Sequence, residues 1–268
     1  MSNLNVTALI GEMAQTKSDS IDILTNIKSI DSVLAEATTN PSLSPEFRKI
    51  SVPMIYSAWE SHFTASIAVC FRALKDIDKS ANEHSSTIRA IWLQQESFFS
   101  KYIDMIKNIY DIDAHKSLSE KMANMKKKVK KGHFKLTTDV LDGIDTFNST
   151  GLNKQVNVDD LVMTFANVNK VVTEMNMDVI GLDHSNLDLS QLDGLVGLRN
   201  AFGHGQFTTN VGRRQFEQML SYAEHLINGL YQEVEVWLNQ LDSELKHTHI
   251  DSWRCDTPCN VSFRYEHI

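Results

Sequence analysis

A chain of 268 residues, 42% hydrophobic and 22% charged, has the composition of a globular protein long enough for one large helical domain or a core domain with additions. Its formal net charge of −8 excludes attachment to nucleic acid by the overall field, so any such contact requires a local basic patch. Only 11 glycines and 4 prolines are present, and Pro41, Pro45 and Pro53 fall in one short stretch, so long helices are favoured over a turn-rich fold.

The Met1 end is polar and lacks a basic segment leading into an apolar core, so it does not read as a signal peptide. The most apolar stretch, Val52 to Leu74, contains Glu60, His62 and Arg72 and reads as a buried core helix, with no membrane span expected. Cys70, Cys255 and Cys259 form no disulfide framework, and a cytoplasmic location is the simplest expectation.

In chain order, the spacing of Ile23, Leu24, Ile27, Ile30 and Leu34 predicts an amphipathic helix from about Ser18 to Ala37, broken at Pro41 to Pro45. The next helix carries Trp59, Phe63, Ile67 and Phe71 every four residues, with Ile55, Cys70 and Leu74 widening the stripe, and is expected at the centre of a bundle. A further helix is predicted from Thr87 to Tyr110, and a loop from Asp142 to Asn157. Helical periodicity resumes over Val158 to Met177, through Leu161, Phe165, Val168, Val171, Val172 and Met175. After a loop from Asp183 to Ser190, Ser190 and Asp193 form the pattern of a capping box opening another helix. A long closing helix is predicted from Arg213 to Leu245, followed by a strand- or coil-like tail from Thr248 to Ile268. The expected architecture is an all-α helical bundle with a short C-terminal extension, divided into an N-terminal segment (1–17), a helical domain (18–247) and a tail (248–268).

Chemistry concentrates in Leu195 to Gly205, which reads Leu-Val-Gly-Leu-Arg-Asn-Ala-Phe-Gly-His-Gly. On a helix, Asn200 and His204 share a face, whereas Arg199 and His204 stand roughly 140° apart around the axis. An undistorted helix therefore cannot aim both at one small site. Gly203 and Gly205 permit a distortion or helix end there, and convergence across a symmetric dimer is the other solution. Taken by itself, His204-Gly205 also fits a plain helix C-cap with a favourable dipole contact.

The segment resembles the Arg-polar-x-x-x-His signature of the HEPN superfamily, in its Arg-Asn-x-x-x-His-Gly form. The aromatic run Ile55-Tyr56-Ser57-Ala58-Trp59-Glu60-Ser61-His62-Phe63, with its Trp-Glu pair, resembles an earlier helix of some members, and the likeness extends over about Ser18 to Leu245. The resemblance implies a HEPN-like bundle and a metal-independent endoribonuclease without cofactor, whose homodimer interface joins two copies of the motif. His204 would then be the general acid or base, Arg199 the ligand of the scissile phosphate, and Asn200 the residue orienting His204 or the phosphate. The implied partners are RNA, a second copy of the chain and an antitoxin or defence-system protein, the implied role being that of a toxin or antiviral effector. A HEPN-like module that binds RNA or protein without cutting is the alternative. One subgroup extends the motif to His-x-Tyr; Gln206 occupies that position here, which argues against that subgroup.

Three further features are weaker. The lysines Lys126, Lys127, Lys128, Lys130, Lys131 and Lys135 fit either an RNA backbone or a solvated helix end. Cys255 and Cys259, with His247, His249 and His267 nearby, do not match a familiar zinc spacing and read as reduced cysteines. Glu60, beside the aromatic stripe, is either a boundary residue or a buried carboxylate needing a partner such as an arginine of the motif helix.

Overall fold

The structure, a computed structural model, describes residues 4–36, 42–110, 138–165, 167–205 and 210–254. Eight α-helices run through them: α1 (Val6–Glu36), α2 (Leu43–Asp76), α3 (Ser86–Leu93), α4 (Ser97–Tyr110), α5 (138–149), α6 (Lys170–Ile180), α7 (Leu192–Gly203) and α8 (Arg213–Arg254). Single 3-10 turns lie at Ala81–Glu83 and Val158–Leu161. Among the described residues there is no strand, only an isolated bridge between Ser80 and Gly151, and no helix is long and apolar enough to cross a membrane. The expected all-α bundle is the observed fold.

The three longest helices, α1, α2 and α8, pack pairwise on one another, and α7 covers another face of α2. As its aromatic period requires, α2 is the central element. Trp59, Phe63, Ile67, Cys70 and Phe71 are all fully buried, each large apolar side chain contributing about 1.5–3 kcal/mol by leaving water. Trp59 and Phe63 meet at 5.4 Å between ring centroids, and Phe71 meets Trp92 of α3 edge-on at 5.7 Å. The α1–α2 pair is locked by a buried cluster in which Asp31 accepts from Ser44 Oγ and from Arg48 Nε, each at 2.8 Å.

Several elements differ from the sequence expectation. The first helix begins at Val6, because its buried stripe (Val6, Met13, Ser20, Leu24, Ile27, Asp31) includes two polar residues that hide its length. The helix expected over Thr87 to Tyr110 is divided at residues 94–96, where backbone bonds turn back to Trp92 and Leu93 and the Glu96 carboxylate accepts from Asn153. Half of the expected 142–157 loop is helix α5, held by buried Val140 and Phe147, seven residues apart in polar surroundings. Only the ends of the expected 158–177 helix are helical. Leu161, Val168 and Val172 are buried, but Phe165, Val171 and Met175 are exposed. The interruption has a local cause. Asn169 caps α6 by accepting from Val172 N at 2.9 Å, and buried Asn176 accepts from Met163 N while its amide donates to the Met163 and Val172 carbonyls. These side-chain bonds replace the helical ladder over residues 162–169.

The expected capping box at Ser190 does not form. Gln191 occupies the N-cap of α7 without a side-chain bond, the Ser190 N–H donates to Asp188, and the Asp193 carboxylate instead accepts from Lys170 N at the start of α6. The closing helix extends through Arg254, past the expected end at Leu245. The lysine run at 126–135, Cys255, Cys259 and His267 lie outside the described residues.

Candidate active site

On α7, Leu192, Leu195 and Phe202 are buried at helical spacing, and Arg199 falls on the same inward stripe. Its side chain is therefore aimed at α2, into the bundle wall. There the guanidinium carbon sits 5.2 Å from the centroid of the Tyr56 ring, within cation–π range. Arg199 Nη1 donates to two amide oxygens, Asn200 Oδ1 at 3.0 Å and Asn167 Oδ1 at 3.1 Å. Among the described residues Nη2 and Nε are not engaged, which leaves an edge of the guanidinium for an anion.

Tyr56 is fully buried, and its hydroxyl is a relay between two elements. It accepts from Val168 N at 2.6 Å and donates to Glu60 Oε1 at 3.0 Å, one turn along α2. Burial, chiefly, and then the Glu60 carboxylate push the phenol above its ordinary pKa, against the lowering pull of the Val168 N–H and Arg199. It remains a protonated donor at neutral pH. Half-buried Glu60 thus finds its partner in the phenol of its own helix, and the tyrosine stands between carboxylate and guanidinium.

The helix end forms where the two glycines allowed it. α7 stops at Gly203, His204 is the C-cap with φ −94° and ψ 13°, and Gly205 is left-handed at φ 76°. The His204 N–H still donates to the Asn200 carbonyl at 3.0 Å, so Asn200 is tied to Arg199 by its side chain and to His204 by its backbone. The His204 side chain is exposed, and among the described residues no hydrogen bond joins its imidazole to Arg199 or Asn200. One chain therefore brings Arg199 and Asn200 together and leaves His204 facing outward beyond them.

A family model described as RiboL-PSP-HEPN matches residues 18–236. The chain belongs to this HEPN family. Searches among curated proteins and solved structures found no match. HEPN membership points to a nuclease or RNA-related role, and the Arg-Asn-x-x-x-His segment lies inside the matched span. In this HEPN chain the surroundings of the motif arginine are Tyr56 and Asn167, neither of which sequence reasoning singled out as a site residue. Tyr56 carried a signal, since it belongs to the aromatic run around Trp59-Glu60. Asn167 carried none: its segment has helical periodicity, and its role arises from a loop pinned at Met163 and Val168. Cys70, fully buried and with its thiol pKa pushed up mainly by burial, is core packing as expected. Among the described residues no group of three or more His, Cys, Asp and Glu side chains is arranged to hold a metal ion.

Proposed function

We propose that this HEPN protein is a metal-independent endoribonuclease with Arg199, Asn200 and His204 as its active-site residues. The observation that carries the reading is the division of the motif at the end of α7. A guanidinium is fixed by two amides and a ring with one edge open, and an exposed imidazole stands just beyond it. Arg199 binds the scissile phosphate and offsets charge developing on its oxygens. His204 serves as the proton carrier, a role an imidazole fills because it can both accept and donate a proton. The RNA 2′-oxygen attacks phosphorus as its proton passes to a neutral imidazole. The bond from phosphorus to the 5′-oxygen breaks, and that oxygen takes a proton from an imidazolium. The products are a 2′,3′-cyclic phosphate and a 5′-hydroxyl, with no oxidant or cofactor consumed.

The exposed His204 also favours a site completed by a second copy, in which two histidines act as base and acid in a homodimer. Toxin activity or antiviral defence, in the cytoplasm and under the control of an antitoxin or defence partner, is the biological setting that fits such a nuclease. A non-catalytic RNA-binding or protein-interaction module is the second reading. It is favoured by one fact, that Arg199 Nη1 is already saturated within its own chain.

Incubation of total RNA with the purified protein in EDTA tests the reading, alongside His204→Ala at matched circular dichroism. The nuclease reading expects cleavage ending in cyclic phosphates, reduced about 10²–10⁴-fold in the variant. Absence of cleavage by the wild type selects the binding module, and equal cleavage by both removes His204 from the mechanism. Sedimentation of the wild type as a monomer at cleaving concentrations would exclude the composite site.

A further inference from the structure

The loop between the Val158–Leu161 turn and α6 is held on three sides. The Asn176 side chain clasps both backbone groups of Met163, the Tyr56 hydroxyl takes the Val168 N–H, and the Asn167 amide oxygen takes Arg199. Within this clamp Asn167 N–H donates to the Thr164 carbonyl at 2.8 Å, closing a tight turn whose second residue is Phe165. Phe165 has φ 41°, the one non-glycine residue with positive φ among those described, and the residue is 66% exposed. A bulky residue in this region is strained, and an outward-facing ring recovers little of that cost by burial. The strain sits between two pinned points of the loop, at a Cα no more than about 8 Å along the chain from that of Asn167.

We propose that Phe165 is a stacking platform for a nucleobase of single-stranded RNA whose phosphate lies on Arg199. This inference rests on the ribonuclease reading and names its substrate class. A flat apolar ring beside a fixed guanidinium is the pairing that unpaired RNA recognises, because every base offers a face to the ring and every nucleotide a phosphate to the arginine. Bases in a duplex are stacked on each other and cannot reach such a ring, so Phe165 selects loops and single strands. The bonds that hold Met163, Asn167 and Val168 keep the ring's backbone near Arg199 before RNA arrives, which reduces the ordering cost of binding.

The experiment uses the full chain carrying His204→Ala, so that RNA survives, and a single-stranded oligoribonucleotide with 2-aminopurine as the fluorescent base. The proposal expects quenching of the base on binding. Phe165→Ala in the same background should abolish quenching and raise Kd roughly 5- to 100-fold, and Phe165→Trp should restore both. In the cleaving protein, Phe165→Ala should raise KM for single-stranded RNA more than it lowers kcat. Phe165→Gly adds a second signature: it should weaken RNA binding like alanine while raising Tm by about 2–4 °C, because glycine accepts the positive φ. Unchanged Kd and quenching in Phe165→Ala, with wild-type cleavage intact, would overturn the platform and leave the nuclease reading standing. Quenching that depends on Phe165 in a wild type that never cleaves would uphold the platform and sink the nuclease. A Phe165→Ala chain that loses self-association but binds RNA normally would show that the ring covers a second copy instead, and would overturn the proposal.

Discussion

Arg199 and Tyr56 come from helices separated by more than a hundred residues of chain, yet the guanidinium lies 5.2 Å from the centre of the phenol ring. The ring is completely buried and the guanidinium only half so, which makes Tyr56 the floor and Arg199 the tile. Because the same phenol fixes Val168 and Glu60, the orientation of the motif arginine depends on the correct seating of α2, α7 and the 162–169 loop together.

Tyr56→Phe separates the ring from the hydroxyl. It keeps the aromatic floor but leaves the Val168 N–H without its acceptor, so a loss of about 1–3 kcal/mol is expected in urea unfolding. Tyr56→Leu removes the floor as well and should lower RNA cleavage further than Tyr56→Phe does. Equal activity of the two variants would show that the ring contributes nothing to Arg199.

Arg199→Lys retains the charge and discards the fork. A lysine ammonium cannot reproduce the bonds to Asn167 and Asn200 together with an open edge for phosphate, so cleavage should fall by about 10²-fold or more. Stability should change by no more than about 1 kcal/mol, since the group is half-exposed and its lost partners reach water. A variant with wild-type cleavage would place phosphate binding elsewhere.

The α2 core and the motif helix were legible because their signals are local: a four-residue aromatic period in one and two glycines after Phe202 in the other. The 158–177 segment misled for the opposite reason. Its apolar spacing is helical, but Asn169 and Asn176 satisfy the backbone by side-chain bonds that depend on where the chain returns, and sequence periodicity does not register such competition. The capping expectation at Ser190 failed likewise, because Asp193 has a second client in α6, 23 residues earlier in the chain. Asn167 was invisible until that loop was placed.

Asn176→Ala tests how much of the site depends on this clasp. The side chain is fully buried and makes bonds to Met163 N, Met163 O and Val172 O, of which the Met163 N–H would be left without an acceptor. A destabilisation of about 2–4 kcal/mol is expected. Hydrogen exchange should accelerate first over residues 162–168, ahead of α6 itself. Uniform acceleration across α6 and the loop would mean that the clasp serves the helix and not the loop.

Acid sensitivity should trace to His62, which no part of the proposed chemistry uses. It is fully buried on α2, with Lys17 of α1 nearby, the Ile227 backbone of α8 beside it and Ser66 Oγ 3.5 Å from Nε2, while Nδ1 lacks a well-formed partner. Burial, mainly, lowers its pKa from 6.5 to about 4, aided by Lys17 and opposed by the Ile227 carbonyl. The unfolded chain therefore binds a proton that the folded chain refuses between those values. Stability is fully present above pH of about 6.5 and declines as pH falls towards about 4, by up to roughly 3 kcal/mol for this one group. Half-buried His84 shifts in the same direction, whereas the lowered carboxylates of Glu83, Asp183 and Asp188 act only at still lower pH. Denaturant unfolding of the wild type and His62→Gln at several pH values from 7.5 to 4.5 isolates the histidine. The variant should start less stable at pH 7.5 and lose much less on acidification, so the two curves converge. Parallel curves would mean that His62 is solvated or already charged in the native bundle, and that the acid response belongs to other groups.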